Sequence, residues 1–576
     1  MARNARRKRK PEPAPQKSAP ARAFLGWILL AAALLPVLVS WSIRAHGFLL
    51  DDFVLFQTSP SLSDPGSIAR GFLTDVGALR KGTETVISSY YRPVFLALST
   101  LWYQVAGGDP AGWHTASLLL AGLIGALACG FFLRLGLPPI VALLASLVYS
   151  LHPSHVSSVA WASGLQELLA ALFSLCALHA LLSFRKGERG LVPAAVFYIL
   201  ALLSKEVAIA LLPFVGLWAV IEKDRRLGRA AAVLAGVTAV YLAVRIAVLG
   251  GLAVPSESAP GFATSLPAVP VALATYLRLL AWPVGFSIFR PERPFHELLS
   301  APVLISLAAL AILAGLGVWA VRRKKELALP LVWVVVWLLP VLNLWVLHPQ
   351  WMVTDRYLFL PSLALPWLLA FVFPPRVRGV VLGVLAVFFA LLTVRYQAIF
   401  RDERTFIAAM EKAEPTSPLV FDEKGRLLLQ DGDRAGARAA FARAVELDPI
   451  DPAALESLAD LELEQGELDA AEEHYRKALV VRPYASRGFK LVALARSRSG
   501  QRERAGALID ESVRRWPEDF QVQLLHAVFL GAAGEREKAR AAFEAARRLR
   551  PDDPAVAGGF DEALARMMAT ISSPGG

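Results

Sequence analysis

Long apolar runs dominate the sequence from residue 24 to residue 400 and limit what the chain can fold into. Several of these runs reach about 20 residues, the length that a helix needs to cross a bilayer. The whole chain is 55% hydrophobic and 19% charged, with a mean hydropathy of +0.48, which excludes a wholly soluble protein. Residues 401–576 are instead rich in Ala, Glu and Arg, like a soluble helical domain. The sequence therefore predicts an all-α protein with a polytopic membrane domain, residues 23–400, and a soluble domain, residues 401–576.

The formal charge of +12 is unevenly distributed along the chain. Residues 401–576 hold 26 basic and 31 acidic side chains, so the rest of the chain carries about +17. Much of that excess lies in a basic tail, residues 1–22, directly before the first apolar run. Basic residues beside membrane helices mark the cytoplasmic side. We therefore interpret the charge as a topology signal, expect a cytoplasmic N-terminus and expect no nucleic-acid partner.

The apolar runs and the basic loops between them give a path of about eleven membrane spans. Residues 93–107 and 268–287 fit interfacial or re-entrant segments better, because prolines flank or interrupt them. Residues 44–91 then form a long outside loop, and the odd number of spans places the C-terminal domain outside. The predicted spans are residues 24–43, 113–133, 138–151, 156–184, 191–204, 206–221, 230–249, 301–321, 329–347, 357–373 and 379–397.

A period of 34 residues runs through the C-terminal domain and resembles the tetratricopeptide repeat. Small residues on this period permit close helix packing, aromatic or aliphatic residues fill the gaps, and Gly and Pro mark the turns. About four such repeats stack into a superhelix whose groove can hold a partner peptide or an acceptor protein. A spacer or a dimerisation surface is the alternative. The recurring positions are Pro415, Pro449, Pro483, Pro517 and Pro551; Gly432, Gly466, Gly500 and Gly534; Ala437, Ala471, Ala505 and Ala539; and Phe441, Tyr475, Ile509 and Phe543.

The two cysteines, Cys129 and Cys176, both lie inside apolar runs. This excludes a disulfide framework and a thiolate metal site. His152 and His155 have no third ligand of a suitable type nearby, so we expect no zinc site, and no larger carboxylate cluster indicates another metal. A requirement for a divalent cation stays open.

Asp51 and Asp52 directly follow the first span, at the start of the outside loop. Paired carboxylates can act as a general base, and their proximity raises the pKa of one of them. The alternative is an interfacial pair that only ends a helix. Two other pairs of polar residues interrupt the apolar background. His152 and His155 either bind phosphate or sugar or form an internally bonded pair. Lys205 and Glu206 are either functional intramembrane charges or partners of each other.

Five motifs occur in an order that resembles one known family. They are Leu50-Asp51-Asp52-Phe53, Tyr91-Arg92-Pro93, His152-Pro153-Ser154-His155 with Val159-Ala160-Trp161, Leu203-Ser204-Lys205-Glu206 and Asp355-Arg356-Tyr357-Leu358. Together with the repeats they resemble the transmembrane and tetratricopeptide-repeat proteins, over about residues 24–552. That family includes eukaryotic protein O-mannosyltransferases and bacterial relatives. Ser157, Leu165 and the Gln166-Glu167 step depart from its usual pattern, which leaves the donor or acceptor specificity open.

The resemblance implies a glycosyltransferase of the C superfamily in a bacterial inner membrane, working on the outer face. It implies transfer of mannose or another hexose from a polyprenyl-phosphate carrier, with protein Ser or Thr as the acceptor and membrane lipids around the enzyme. The family's acidic residues map onto Asp51 and Asp52, one of which would be the base. Cations must then bind the departing phosphate. The candidate substrate-binding residues are Tyr91, Arg92, His152, His155, Lys205, Glu206, Arg356 and Tyr357.

Two other functions remain as alternatives. A non-catalytic membrane scaffold could use the repeats to recruit an envelope partner, but it would need one or two spans only. A transporter could also hold intramembrane charges. It is disfavoured by the long acidic outside loop and by the lack of a visibly duplicated half.

Overall fold

The computed structural model describes residues 19–57, 59–74, 90–252, 261–285, 287–288, 290, 297–346, 353–483 and 486–549. The regular elements in these ranges are helices, which confirms the all-α class. The first 18 residues of the predicted basic tail and residues 58 and 75–89 of the predicted outside loop lie outside the described ranges. The chain divides into two compact units, which meet in the sequence between Ala409 and Met410.

The first unit is built from apolar helices joined by short turns. Helix α5 packs against α1, α6 and α8, and α6 also packs against α1 and α17. The helices are α1 Ala19–Val39, α2 Pro60–Ser63, α3 Ser67–Arg70, α4 Pro93–Ala106, α5 Pro110–Arg134, α6 Pro139–Ser150, α7 Val156–Val159, α8 Leu165–Arg185, α9 Leu191–Ser204, α10 Leu211–Glu222, α11 Arg225–Leu249, α12 Phe262–Ser265, α13 Ala268–Ala281, α14 Ala301–Arg323, α15 Ala328–Leu338, α16 Ala364–Val372, α17 Arg378–Gln397 and α18 Glu403–Ala413, the last of which crosses the boundary between the units.

Local sequence signals explain where many of these helices begin. Proline occupies the first turn of α4, α5 and α6, where its missing N–H would have no intrahelical partner. Asp109 and Asp224 cap α5 and α11, since each side chain accepts a hydrogen bond from a first-turn amide. Several membrane helices end in basic residues, as α5 does at Arg134 and α8 at Arg185, which complements the helix dipole.

Six helical segments are long and apolar enough to cross a membrane, or seven if one bent pair forms a single span. With the bent pair included, these segments match seven of the predicted spans. The predicted count of about eleven spans is not confirmed within the described residues. The remaining apolar runs form shorter helices, among them Ala23–Val39, Leu191–Ser204 and Pro361–Val372. The six segments are Pro110–Arg134, Ala162–Arg185, Arg225–Leu249, Ala301–Arg323, Lys325–Val346 and Arg378–Phe400, and the bent pair is Pro139–Ser150 with Pro153–Val159.

The two runs that we expect to be interfacial also form short helices. Helix α4 and helix α13 have 14 residues each, so each is about 21 Å long at 1.5 Å per residue. That length is well below the roughly 30 Å of a bilayer core. Several apolar side chains of α4 are exposed, including Leu101 and Val105.

A break at Lys205 and Glu206 divides a continuous apolar run into two helices. Helix α9 ends at Ser204, a 3-10 turn covers Glu206–Ala210, and α10 begins at Leu211. Lys205 has an extended backbone at this break, with φ −159° and ψ 133°. The structure thus divides the run where the predicted spans 191–204 and 206–221 meet, and the break turns the Lys205 side chain towards Glu167 and the Glu206 side chain towards Arg92.

The second unit contains four helix pairs in its described part, as the 34-residue period predicts. Each pair turns at a glycine, and these glycines have φ between 81° and 82°, a left-handed conformation that is strained for other residues. The pairs are α19 Pro418–Gln430 with α20 Arg434–Leu447, α21 Pro452–Gln465 with α22 Leu468–Ala478, α23 Arg487–Arg498 with α24 Arg502–Arg515, and α25 Phe520–Ala532 with α26 Arg536–Arg548; the glycines are Gly432, Gly466, Gly500 and Gly534.

The repeat positions predicted to pack the helix pairs are buried. Ala437, Ala471, Ala505 and Ala539 are fully buried, and the large residues that follow each of them by four positions are at most 5% exposed. Phe441, for example, packs against Gly425 of the preceding helix, where a Cβ atom would lie 2.4 Å from its ring. Recurring burial at one register is what a stack of repeats requires.

Candidate active site

The Asp51-Asp52 pair sits where the chain leaves the first helix and turns back onto the membrane unit. Phe48 and Leu49, just before it, are buried, and the Gly47 amide donates to the Arg401 carbonyl at 3.0 Å. Leu50 has a φ of 47°, a left-handed conformation that costs a non-glycine residue about 1 kcal/mol or more. The surrounding packing therefore holds the acidic pair in a fixed and strained backbone arrangement.

Asp52 is fully buried and bound by backbone amides. Its carboxylate accepts hydrogen bonds from Ser163 N at 2.8 Å, from Ala162 N at 3.2 Å and from Leu49 N at 3.4 Å. Burial raises the pKa of Asp52 well above its usual range and the nearby Asp51 carboxylate adds to the rise, while the three amides oppose it. Asp52 is therefore the member of the pair that more readily holds a proton.

Asp51 is only partly buried and contacts a tryptophan. The indole N–H of Trp161 donates to Asp51 Oδ1 at 3.0 Å. The same indole ring lies under the Arg356 guanidinium, whose Cζ atom is 4.4 Å from the ring centroid. One side chain thus links the candidate base to a candidate phosphate-binding cation.

Arg356 also lines a cavity in the membrane unit together with other predicted site residues. Lys205 pairs there with Glu167, and the Lys205 ammonium lies 5.3 Å from the centroid of the Tyr357 ring. The cavity is small, about 20 Å³, close to the space that one water molecule needs. Its lining is Glu167, Ala170, Lys205, Val207, Trp337, Val341, Arg356, Tyr357, Phe359, Leu360 and Pro361, which combines two cations with mostly apolar walls.

Arg92 is buried, and its donors are used within the protein. Its Nε and Nη2 atoms donate to the Glu206 carboxylate at 2.9 and 2.5 Å, and its Nη1 atom donates to Gln166. The guanidinium also packs on the Tyr90 ring, with the Arg92 Cζ atom 4.1 Å from the ring centroid. Glu206 thus pairs with Arg92 rather than with its neighbour Lys205. This arrangement favours a structural role for Arg92, although the sequence makes it a leading phosphate ligand.

Tyr91 and the two histidines are also bound within the protein. The Tyr91 hydroxyl donates to the Phe72 carbonyl at 3.0 Å. His152 Nδ1 accepts from the Ser154 amide, so Nε2 carries the proton and donates to the Leu280 carbonyl at 3.1 Å. His155 Nε2 lies 2.8 Å from the Ser362 hydroxyl, and its ring stacks on Phe359 with centroids 4.0 Å apart. Neither histidine lines the cavity.

The structure adds side chains that the sequence reasoning did not assign to the site. Trp161 appeared only as part of a motif, and Glu167 only as part of a departure from the family pattern. Arg245, a charged residue near the end of a membrane helix, is buried and donates to the Leu252 carbonyl at 3.0 Å. Its position inside an apolar run was a usable signal, because intramembrane charges are often functional. Within the described residues, no group of three His, Cys, Asp or Glu side chains could hold a metal ion.

Comparison with known proteins identifies the repeats and one relative of the larger part of the chain. Residues 423–486 and 493–554 match the tetratricopeptide repeat family. Human protein O-mannosyl-transferase TMTC4 is 27% identical over 420 residues, which cover 60% of this chain and 56% of the human protein. Mouse protein O-mannosyl-transferase TMTC4 is 34% identical over 99 residues, 15% of this chain and 13% of the mouse protein. The chain thus has tetratricopeptide repeats and a weak similarity to these O-mannosyltransferases, and it spans about half the length of the human relative.

Solved structures match this chain at low TM-scores. The crystal structure of MamA has a TM-score of 0.23 and 16% identity, and the match covers 28% of this chain and 87% of MamA. The structure of YrrB, described as a TPR protein with an unusual peptide-binding site, has a TM-score of 0.23 and 15% identity, covering 29% and 90%.

Proposed function

We propose that this protein is a multi-pass membrane glycosyltransferase of the C superfamily that transfers a sugar from a polyprenyl-phosphate carrier to Ser or Thr hydroxyls of extracytoplasmic protein. The observation that carries this proposal is the contact of Asp51 and Arg356 with one indole ring. A base and a phosphate-binding cation side by side are what this transfer needs. The similarity to protein O-mannosyltransferases supports mannose or another hexose as the sugar.

Asp51 acts as the base in this reaction. The acceptor hydroxyl oxygen forms a bond to the anomeric carbon while the bond from that carbon to the phosphate oxygen breaks. The hydroxyl proton passes to Asp51, and the polyprenyl phosphate leaves with the electron pair. Asp51 suits this role better than Asp52, because Asp51 is partly exposed, whereas Asp52 is fully buried and burial raises its pKa.

Arg356 binds the departing phosphate, while Lys205 stays paired with Glu167. Both line the cavity, which has apolar walls that suit a lipid chain. Within the described residues, the Trp161 ring is the contact that the structure gives the Arg356 guanidinium, so its N–H donors remain available for phosphate oxygens. Because the cavity is small, the surrounding side chains must move apart when the donor enters.

The tetratricopeptide repeats bind the acceptor protein or a partner peptide on the extracytoplasmic side. Stacked repeats of this kind form grooves that hold extended segments. The count of six or seven candidate membrane segments and the buried ion pairs among them are more than a simple anchor requires. These two features argue against a non-catalytic membrane scaffold.

The test is sugar transfer in membranes supplied with polyprenyl-phosphate mannose and an exported acceptor protein. Asp51→Asn should reduce transfer by at least about 100-fold, since a positioned general base contributes that much or more. Asp64→Asn is the matched control, because Asp64 lies in the same loop but is half-exposed and pairs with Arg70. It should keep full activity. Equal activity of the Asp51→Asn variant and the wild type would remove the proposed base, and no transfer by the wild type from any polyprenyl-phosphate sugar would refute the function.

A further inference from the structure

We propose that Trp161 is a positioning residue for sugar transfer, whose indole fixes the Asp51 carboxylate and the Arg356 guanidinium in one arrangement. The inference rests on the proposed function and deepens it. Trp161 is 4% exposed, so the surrounding protein and not solvent contacts almost all of its side chain. Its two polar contacts use different parts of the ring, the N–H edge for Asp51 and the face for Arg356.

These contacts oppose a direct pairing of the two charges. A carboxylate and a guanidinium that are free to approach form a bidentate ion pair, which would occupy both the base and the phosphate donors. The indole N–H donates a hydrogen bond to the Asp51 carboxylate. The π face of the indole attracts the Arg356 guanidinium and does not use its N–H donors. The indole therefore contacts both charged groups without letting them pair with each other through it.

The turn that carries Trp161 also holds the other aspartate. Ala162 and Ser163, the next two residues, donate their amides to Asp52. The turn is tight at Gly164, where a Cβ atom would lie 2.4 Å from the Ser158 carbonyl oxygen. Phe406 also packs on the Trp161 ring, edge to face, with centroids 5.8 Å apart. Residues 161–163 therefore form one rigid support for both carboxylates.

Trp161→Phe separates the two contacts, because it keeps an aromatic face for Arg356 and removes the N–H donor to Asp51. We expect the kcat of sugar transfer to fall by about tenfold or more, since a hydrogen bond to a charged group is lost. The acid limb of the pH–rate profile should move to higher pH, because the ionised Asp51 carboxylate loses the indole N–H that stabilises its charged form. The KM for the polyprenyl-phosphate sugar should change by less than about twofold, because the cation keeps its aromatic support.

Two further variants make the result decisive. Trp161→His retains a ring N–H and should keep the acid limb closer to that of the wild type. Trp113→Phe is the matched control: Trp113 is also buried, and its indole donates to the Gly107 carbonyl at 2.9 Å without contacting either charged residue. It should leave the acid limb unchanged even if it lowers the amount of folded protein. Each profile is measured on detergent-purified protein that elutes as a single species.

The positioning role is wrong if Trp161→Phe has the same acid limb as the wild type and the Trp113→Phe control. It is also wrong if Trp161→His shows the same displacement as Trp161→Phe. Failure of the underlying function gives a different result: the wild type then transfers no sugar, or Asp51→Asn is as active as the wild type.

Discussion

The carboxylates of Asp51 and Asp52 have different surroundings and, we infer, different tasks. Asp52 is fully buried and its two oxygens accept three backbone amides, so it fixes the loop that follows the first helix. Asp51 is partly exposed and accepts a hydrogen bond from the Trp161 indole N–H. A like-charged neighbour favours a single ionised member of such a pair. The arrangement leaves Asp51 as the carboxylate that can exchange a proton with a substrate.

Arg92 and Arg356 provide the prediction at the residue scale. Arg92→Ala should destabilise the protein by about 3 kcal/mol, because it leaves the partly buried Glu206 carboxylate without its partner. Arg356→Ala should leave stability nearly unchanged and reduce sugar transfer by about 100-fold, because it removes a donor to the departing phosphate. Thermal unfolding in detergent and sugar transfer in membranes are the two measurements.

The opposite pattern would contradict these assignments. An Arg92→Ala protein that is as stable as the wild type but inactive would make Arg92 the phosphate ligand. Arg92→Lys serves as a control, since it retains the charge but loses the two-atom contact with Glu206 and should be intermediate in stability.

At the scale of the elements, interruptions of helices place the polar groups of the membrane unit. The break between α9 and α10 turns Lys205 towards Glu167 and Glu206 towards Arg92. The bend of 50° between Pro139–Ser150 and Pro153–Val159 comes just before the turn that carries Trp161. In both places the backbone is not helical, but the residues are buried in protein rather than exposed to lipid. Backbone N–H and C=O groups without hydrogen bonds would be costly in lipid.

Asp519 gives a prediction for the repeat unit. Its carboxylate caps α25 by accepting from the Gln521 and Val522 amides at 2.8 and 3.2 Å, and it also accepts from the Ser486 hydroxyl. Asp519→Ala should destabilise this helix by about 1 kcal/mol. In hydrogen exchange of the full-length protein, α25 amides should then exchange about fivefold faster. Asp510→Ala is the control, because Asp510 is 61% exposed and its contact with His526 is long, at 3.8 Å.

The same residue has a defined pH dependence. Although burial alone would raise it, the pKa of Asp519 is lowered by the Ser486 hydroxyl, the Lys490 charge and the cap amides. Its contribution to stability is therefore present at neutral pH and is lost as the pH falls below the ordinary value of Asp, about 3.9. In Asp519→Ala, α25 should lose this part of its acid sensitivity. Equal acid sensitivity of the two proteins would contradict the cap.

At the scale of the whole molecule, the prediction concerns the side of the membrane on which the repeats lie. An odd number of spans with a cytoplasmic N-terminus places them outside. Glu464→Cys, at a position 56% exposed on the repeats, should react with a membrane-impermeant maleimide in intact cells. Lys186→Cys, exposed in the turn after α8, should react only after permeabilisation. The native Cys129 and Cys176 are buried and half-buried, so the background should be low. The reverse pattern would place the repeats in the cytoplasm.

The sequence by itself determined the helical class, the repeats and the interruption at Lys205 and Glu206. These features depend on local patterns: runs of apolar residues, a fixed period, and turn residues at recurring positions. Turn glycines such as Gly466 and buried repeat positions such as Ala471 are where that period predicts them. The predicted total of about eleven spans is not confirmed within the described residues, because several apolar runs form helices too short to cross a bilayer when straight.

Only the tertiary structure decided which polar side chains meet. Arg92 pairs with Glu206, 114 positions away, and Trp161 joins Asp51, 110 positions away, to Arg356. Such contacts depend on how the helices pack and rotate about their axes, and no local period encodes that. The sequence therefore indicates which residues are too polar for their apolar surroundings, and the packing of the helices determines which of them stabilise the fold and which remain available to a substrate.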